Sequence, residues 1–191
     1  MQQRVLRTKI IPPPRHARTL ARPRVIDIFV QAYEYRLTVL QAEAGYGKST
    51  ALAELAETVK PLAWYQVNDE DNDPLVFLLH LCHAFVRAVP GLPNLPVHFL
   101  ETWDGSQGPL PWRDVIDQII NALSAHFDEP TLLVLDDAHL VTEAGEVAHI
   151  IDRLIRLAPP QLHVLLSGRP VITLPTLSRW RSQGEVLVVD Q

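Results

Sequence analysis

The stretch from Leu37 to Thr50, LTVLQAEAGYGKST, constrains this chain more than any other part of it. An apolar run leads straight into a turn carrying Gly45 and Gly47, then Lys48 and Ser49, then the helical pattern ALAELAETV. Glycine leaves room for backbone N–H groups to curl around an oxyanion. A helix starting at that point adds partial positive charge. As a P-loop, Ala44, Gly45, Tyr46, Gly47 and Thr50 surround the phosphates of a nucleotide. Lys48 supplies a charge to the β- and γ-phosphates, and the Ser49 hydroxyl is a magnesium ligand. The first glycine of G-x-x-x-x-G-K-[ST] falls at Ala42, a small residue at the strand's end. The competing reading, a glycine turn that happens to precede Lys-Ser, does not explain why strand, turn and helix all agree.

A second apolar run, TLLVLDDAH, ends in two aspartates. A carboxylate at the end of a buried parallel strand lies at the sheet's carboxyl edge, where ligands of open α/β sheets collect. Asp136 is therefore the expected magnesium carboxylate, acting through water because Mg²⁺ keeps much of its hydration shell. Asp137 has two open readings: a group that polarises an attacking water, or a cap on the next turn near His139. HVLLSGRP puts Ser167 and Arg169 at another strand end. Arg169 is either a γ-phosphate sensor or a solvated loop arginine. A guanine site would carry Asn-Lys-x-Asp. Asn68 and Asp71 have that spacing, but position 69 is Asp, and no Asp-x-x-Gly occurs. The expected cofactors are ATP and Mg²⁺.

Five short apolar runs alternate with helical patterns. The runs are Leu37–Ala42, Leu62–Val67, Thr131–Asp136, His163–Ser167 and Glu185–Val189; the helices are Lys48–Val59, Pro74–Val89, Trp112–Phe127, Glu143–Leu157 and Thr176–Ser182. This alternation predicts an α/β fold, with a five-stranded parallel sheet covered by helices on both faces as a three-layer sandwich. Residues 1–35 form a Pro/Arg-rich lead-in, expected to lie over the domain surface, with a short helix from Pro23 whose apolar face carries Val25, Ile26, Phe29 and Val30. Residues 36–191 form the nucleotide-binding core. The stretch 90–111, rich in Gly and Pro, reads as a surface excursion.

Net charge is −5 over 191 residues with no run of like charge. That pattern gives no electrostatic footprint for nucleic acid, so no direct contact with it is expected from this segment. Cys82 is the only cysteine, which excludes an internal disulfide and suits a reducing compartment. No apolar stretch approaches the roughly 20 residues of a membrane span, so the cytoplasm is the expected location. His80, Cys82 and His83 crowd one helix, but Cys82 points away from the His80–His83 face, so zinc is not expected. Trp64, Trp103, Trp112 and Trp180 read as packing residues.

The segments TKIIPPPR, LARPRVID, AEAGYGKST, LAWYQVNDEDNDPLVFLLHL, LLVLDDAH and LSGRP…LPTLSRWRSQGEV together resemble the nucleotide-binding module of the MalT-type activators. These are LuxR-type, ATP-dependent bacterial transcription regulators of the STAND class of signalling NTPases, related to AAA modules. The run Asp71, Asn72, Asp73, Pro74 followed by Phe77 is a distinctive part of the match, and Asp136–His139 resembles the family's Asp-Asp-Tyr-His. The resemblance implies the P-loop NTPase strand order 5-1-4-3-2. It also implies that residues near Pro23 and Arg24 help enclose the adenine, and that Ala42 is no defect. The family has a Ser-Arg pair after the fourth strand, whereas this chain has Ser167-Gly168-Arg169. Family members continue into a winged helix, a helical-repeat sensor and a DNA-binding module, so this chain is expected to be a fragment cut at the end of the core, with self-association a property of the full-length regulator.

The resemblance implies a regulatory switch held by ATP and reset by slow hydrolysis or exchange. Two alternatives stand beside it. One is a working P-loop ATPase or small-molecule kinase, for which Arg153, Arg156 and Arg169 are the candidate lid arginines. The other is a non-hydrolysing interaction module.

Overall fold

The computed structural model describes residues 5–14, 30–43, 48–143 and 145–190. Five strands form one all-parallel sheet: β1 Leu37–Gln41, β2 Leu62–Gln66, β3 Thr131–Asp136, β4 Leu162–Gly168 and β5 Val186–Asp190. Their order across the sheet is β2-β3-β4-β1-β5, which is the expected 5-1-4-3-2 read from the other edge. The helices are α1 Lys48–Thr58, α2 Pro74–Ala88, α3 Val97–Thr102, α4 Trp112–His126, α5 His139–Thr142, α6 Glu146–Leu157 and α7 Leu177–Ser182.

The strands are apolar on both sides because helices cover both faces. Their side chains divide with a period of two. Ala63 and Tyr65 of β2 with Val67 just after it, Leu133 and Leu135 of β3, and Val164 and Leu166 of β4 join the larger core with α2, α4, α6 and α7. Leu62, Trp64, Leu132, Val134 and Leu165 face the opposite way, against Ala51, Leu52, Leu55 and Ala56 of α1.

Two departures from the sequence reading have local causes. The helix predicted over Glu143–Leu157 begins only at Glu146, because Gly145 before it takes φ of 114°, and the short α5 precedes it as an element the sequence reading did not expect. The excursion over 90–111 contains α3, whose Leu100 is buried in the larger core while Phe99 packs on Trp103 with ring centroids 5.2 Å apart. Of the apolar face predicted for the helix after Pro23, only Val30 is described, and it is 64% exposed. The tryptophans do pack: Trp64, Trp112 and Trp180 are buried.

Of the lead-in, residues Arg7–Ile10 lie on the core. They form a 3-10 turn against β2 and α2, with Lys9 and Ile10 buried. Lys9 Nζ donates to Asn68 Oδ1 at 2.8 Å and to both Asp71 oxygens at 2.9 and 3.0 Å. His80 Nε2 accepts from Leu6 N–H at 3.2 Å, which leaves the ring proton on Nδ1, bonded to Val76 O at 2.9 Å. His80 thus serves as a docking acceptor for the lead-in, stacked on Tyr65.

Candidate functional site

The strand register gathers the candidate residues at the carboxyl edge of the sheet. Gln41 pairs with Gly168, Leu40 with Ser167, and Gln66 with Asp136. Ala42 N–H donates to Gly168 O at 3.2 Å, which ties the chain entering the glycine turn to the end of β4. Ala42 is buried, so a small side chain suits the place of the first P-loop glycine. Ala44, Gly45, Tyr46 and Gly47 lie outside the described residues, as do Pro23 and Arg24. Lys48 is the first residue of α1, followed by Ser49, whose side chain is also outside the description, and Thr50.

Asp136 is 3% exposed at the end of β3. Its Oδ1 accepts from Ser167 Oγ at 2.8 Å and from Asp137 N–H at 3.0 Å. Burial pushes its carboxyl above the usual carboxylate range; the Ser167 bond opposes that shift, and the neighbouring Asp137 adds to it. Both hydrogen bonds go to Oδ1, and Oδ2 takes none among the described residues. A buried carboxylate with one oxygen fixed and a raised pKa gains from a nearby cation. The donor set, a carboxylate beside a Ser-Thr pair at a helix start, suits a hard, oxygen-preferring ion such as Mg²⁺.

Asp137 sits at φ 58°, a left-handed conformation that Asp and Asn tolerate better than most residues. That backbone turns its carboxylate away from β3, and Oδ1 lies 3.8 Å from Lys48 Nζ. Among the described residues it makes no side-chain capping bond to α5, which begins after Ala138. Ala138 N–H donates to Ser167 O at 2.8 Å, so the Asp-Asp-Ala turn is pinned to β4.

Sequence reasoning passed over two contributors. Ser167 was noted only as a strand-end polar group, yet it is fully buried and holds Asp136. Asn72 Nδ2 donates to Leu140 O at 3.0 Å, linking the Asp71–Pro74 run to the turn behind Asp137. The run itself is structural. Asp73 caps α2 through Leu75 N–H at 2.8 Å and Val76 N–H at 3.3 Å, Pro74 occupies the first turn, and Phe77 is buried against Tyr65. Asn68 and Asp71 are taken up by the capping box and by Lys9, so the spacing that mimics a guanine motif is spent on the fold.

Arg169 is exposed, and its charge helps lower the pKa of His139, for which burial is the largest cause. Gly168, which separates it from Ser167, has a packing reason. A Cβ there would lie 3.0 Å from His139 Nδ1 and 3.1 Å from Ile172 Cδ1. The other two candidate lid arginines lie elsewhere. Arg153 is held by Asp117 of α4 at 2.7 and 2.6 Å, and Arg156 is at the far end of α6.

A family model described as the AAA domain matches residues 31–174. The chain is similar to the HTH-type transcriptional regulator MalT of Vibrio parahaemolyticus, 28% identical over 169 residues, covering 88% of this chain and 18% of that protein. MalT of Yersinia pestis is 30% identical over 171 residues, covering 89% of this chain and 18% of that protein. This chain therefore spans 18% of the length of these curated relatives. Among solved structures it resembles a chain from the structure of Drosophila ORC bound to AT-rich DNA and Cdc6, with a TM-score of 0.54 and 13% identity, over 88% of this chain and 52% of that one. At that identity the likeness bears on fold alone. No helix among the described residues is long and apolar enough to cross a membrane.

Proposed function

The chain belongs to the AAA domain family, and from that premise we propose that it is the ATP- and magnesium-binding switch module of a bacterial transcription regulator of the MalT type. The observation that carries this reading is the meeting of Lys48, at the start of α1, with Asp136 and Asp137, at the end of β3, on the carboxyl edge of one parallel sheet. In this reading, Ala44 to Thr50 surround the phosphates, and Pro23 and Arg24 border the adenine. Lys48 would leave Asp137 for the β- and γ-phosphates, and Ser49, with Asp136 through water, would hold Mg²⁺. The bound ion supplies charge neutralisation at the phosphates.

Once Lys48 is drawn to phosphate, the Asp137 carboxylate is released to accept a proton from a water near the γ-phosphate. Ser167 keeps Asp136 aimed while this happens. Adenine is favoured over guanine because Asn68 and Asp71 are committed to Lys9. A switch is favoured over a kinase because Arg153 is bound to Asp117 and Arg156 lies at the far end of α6, so that of the three candidate lid arginines Arg169 alone is near the site. Regulation of transcription and self-association belong to the reading of the longer protein, and the cytoplasm is its proposed location.

Calorimetric titration of the chain with Mg-ATP tests the assignment, with phosphate release measured alongside. Saturable binding, weaker for Mg-GTP, with slow turnover is expected, and Lys48→Ala should remove most of the affinity while circular dichroism stays unchanged. Unaltered affinity in Lys48→Ala refutes the phosphate site, and brisk turnover refutes the switch.

A further inference from the structure

The opposite edge of the sheet carries a cavity of about 330 Å³ that the nucleotide reading does not use. Its lining includes Arg36, Arg156, Arg179, Trp180, Gln183 and Glu185. Arg36 immediately precedes β1, Arg156 lies in the last turn of α6, and Arg179 lies on α7, so three separate elements each bring an arginine to the lining of one concavity. Strands of five residues hold this edge about 17 Å from the edge where Lys48 and Asp136 meet.

The cavity is built rather than incidental. Arg36 is held by donating to Ile155 O at 3.1 Å and Arg156 O at 2.9 Å, closing the C-terminus of α6. Trp180 is buried. Thr176, also in the lining, is fixed by Asp152, which accepts from its N–H at 2.8 Å and its hydroxyl at 3.0 Å. Among the described residues, none of the three guanidiniums has a carboxylate within ion-pairing distance. In a chain of net charge −5, this concavity gathers three arginines against one carboxylate, Glu185.

We propose that this cavity is a second anion site, separate from the P-loop, that binds a phosphoryl group on a small molecule. A single guanidinium satisfies a planar carboxylate with two parallel bonds. Three arginines from three different elements suit a tetrahedral oxyanion, which offers oxygens to each. Glu185 sets one carboxylate against the three arginines, matching a ligand of about two negative charges rather than an extended polyanion. The volume is at the small end of ligand sites, enough for a phosphate ester and not for a folded partner.

Pyrophosphate, inorganic phosphate and succinate serve as probes, each titrated without divalent metal into the 191-residue chain carrying Lys48→Ala. That background suppresses binding at the P-loop. Pyrophosphate should bind saturably, shifting the NMR signals of the Trp180 indole and the Gln183 side-chain amide. The pair Arg156→Ala and Arg179→Ala, both on exposed side chains, should weaken it at least tenfold. The pair Lys60→Ala and Arg87→Ala removes equal charge elsewhere and should leave affinity within twofold. Inorganic phosphate binding as well as pyrophosphate identifies the single phosphoryl group as sufficient, and weaker phosphate binding identifies a diphosphate as the preferred form. Absence of pyrophosphate binding, equal loss in both double variants, or succinate binding as tightly as pyrophosphate would overturn the proposal.

Discussion

Lys9 and Asp71, separated by 62 positions, form a buried ion pair with Nζ 2.9 and 3.0 Å from the two carboxylate oxygens. Lys9 is 7% exposed and Asp71 0%. The pair is embedded: Asn68 N–H donates to Asp71 Oδ2 at 2.7 Å, and Asn68 Oδ1 accepts from both Lys9 and Glu70 N–H. This fixes the lead-in to the loop that also starts α2 and braces the turn behind Asp137.

Removing one partner of such a pair leaves a buried charge uncompensated, which costs about 3–5 kcal/mol. Lys9→Met should therefore lower stability by about that amount in urea unfolding. Adding Asp71→Asn should recover part of the loss, because the orphaned charge is gone while the acceptor for Asn68 N–H remains. A loss below about 1 kcal/mol in Lys9→Met would show that the pair contributes little.

The second anchor is pH-sensitive. Burial is the main cause of a lowered His80 pKa, and Lys9 and His83 act the same way, while Val76 O and Asp71, whose Oδ1 is 4.0 Å away, oppose it. A depressed histidine pKa stabilises the fold above its ordinary value of about 6.5. That contribution disappears as pH falls through the lower folded value. Protonated Nε2 cannot accept from Leu6 N–H, so hydrogen-exchange protection at Leu6, corrected for intrinsic rate, should drop between pH 7 and 5. Protection that holds throughout that range would contradict the role assigned to His80.

The sheet was legible in the sequence because buried parallel strands and amphipathic helices each leave a periodic signature over consecutive residues. The meeting of Lys48 with the two aspartates was legible because strand ends place them at one edge. Lys9 was not, since nothing local marks a lysine for burial until Asp71 is folded against it. Asp71 had the spacing of a guanine motif and became a scaffold residue instead. The Ser167–Asp136 bond depends on β3 and β4 being neighbours, which the resemblance implied but no spacing revealed.

Asp136 sets function against stability. A raised carboxyl pKa means the folded state favours the protonated acid, so its contribution is present below the ordinary carboxylate range and is lost as pH rises through the folded value. Ionising Asp136 in the metal-free fold therefore costs stability. Asp136→Asn removes the charge and keeps an oxygen for Ser167 Oγ and Asp137 N–H. It should raise the metal-free melting temperature by about 2–4 °C, equivalent to roughly 1 kcal/mol, and abolish the magnesium-dependent part of ATP binding. A lower melting temperature would contradict the account of its burial.

Asp137→Asn keeps a side chain that tolerates the left-handed backbone at φ 58°. It also removes the partner that competes with phosphate for Lys48, 3.8 Å away. ATP affinity should be unchanged or higher, and turnover should fall by about 10²-fold, in the range for loss of a general base. Lost affinity with unchanged turnover per bound nucleotide would reverse the assigned roles of the two aspartates.

Gly168 is the residue through which packing and site geometry are joined. An added Cβ would meet His139 Nδ1 at 3.0 Å, His139 Cβ at 3.1 Å and Ile172 Cδ1 at 3.1 Å. The isoleucine end can rotate, but the histidine Cβ is tied to the backbone of α5, so the end of β4 or the turn behind Asp137 must move. Overpacking of this kind costs about 1–3 kcal/mol. Because Gly168 O accepts from Ala42 N–H, the strain also reaches the entry to the glycine turn. Gly168→Ala should lower stability by about that amount and weaken Mg-ATP binding as well. In a His139→Ala background the same substitution should cost less by at least about 0.5 kcal/mol, the coupling expected of residues in contact. Urea unfolding of the four proteins in that cycle, with ATP titration of each, measures both effects, and strict additivity would refute the contact as the cause.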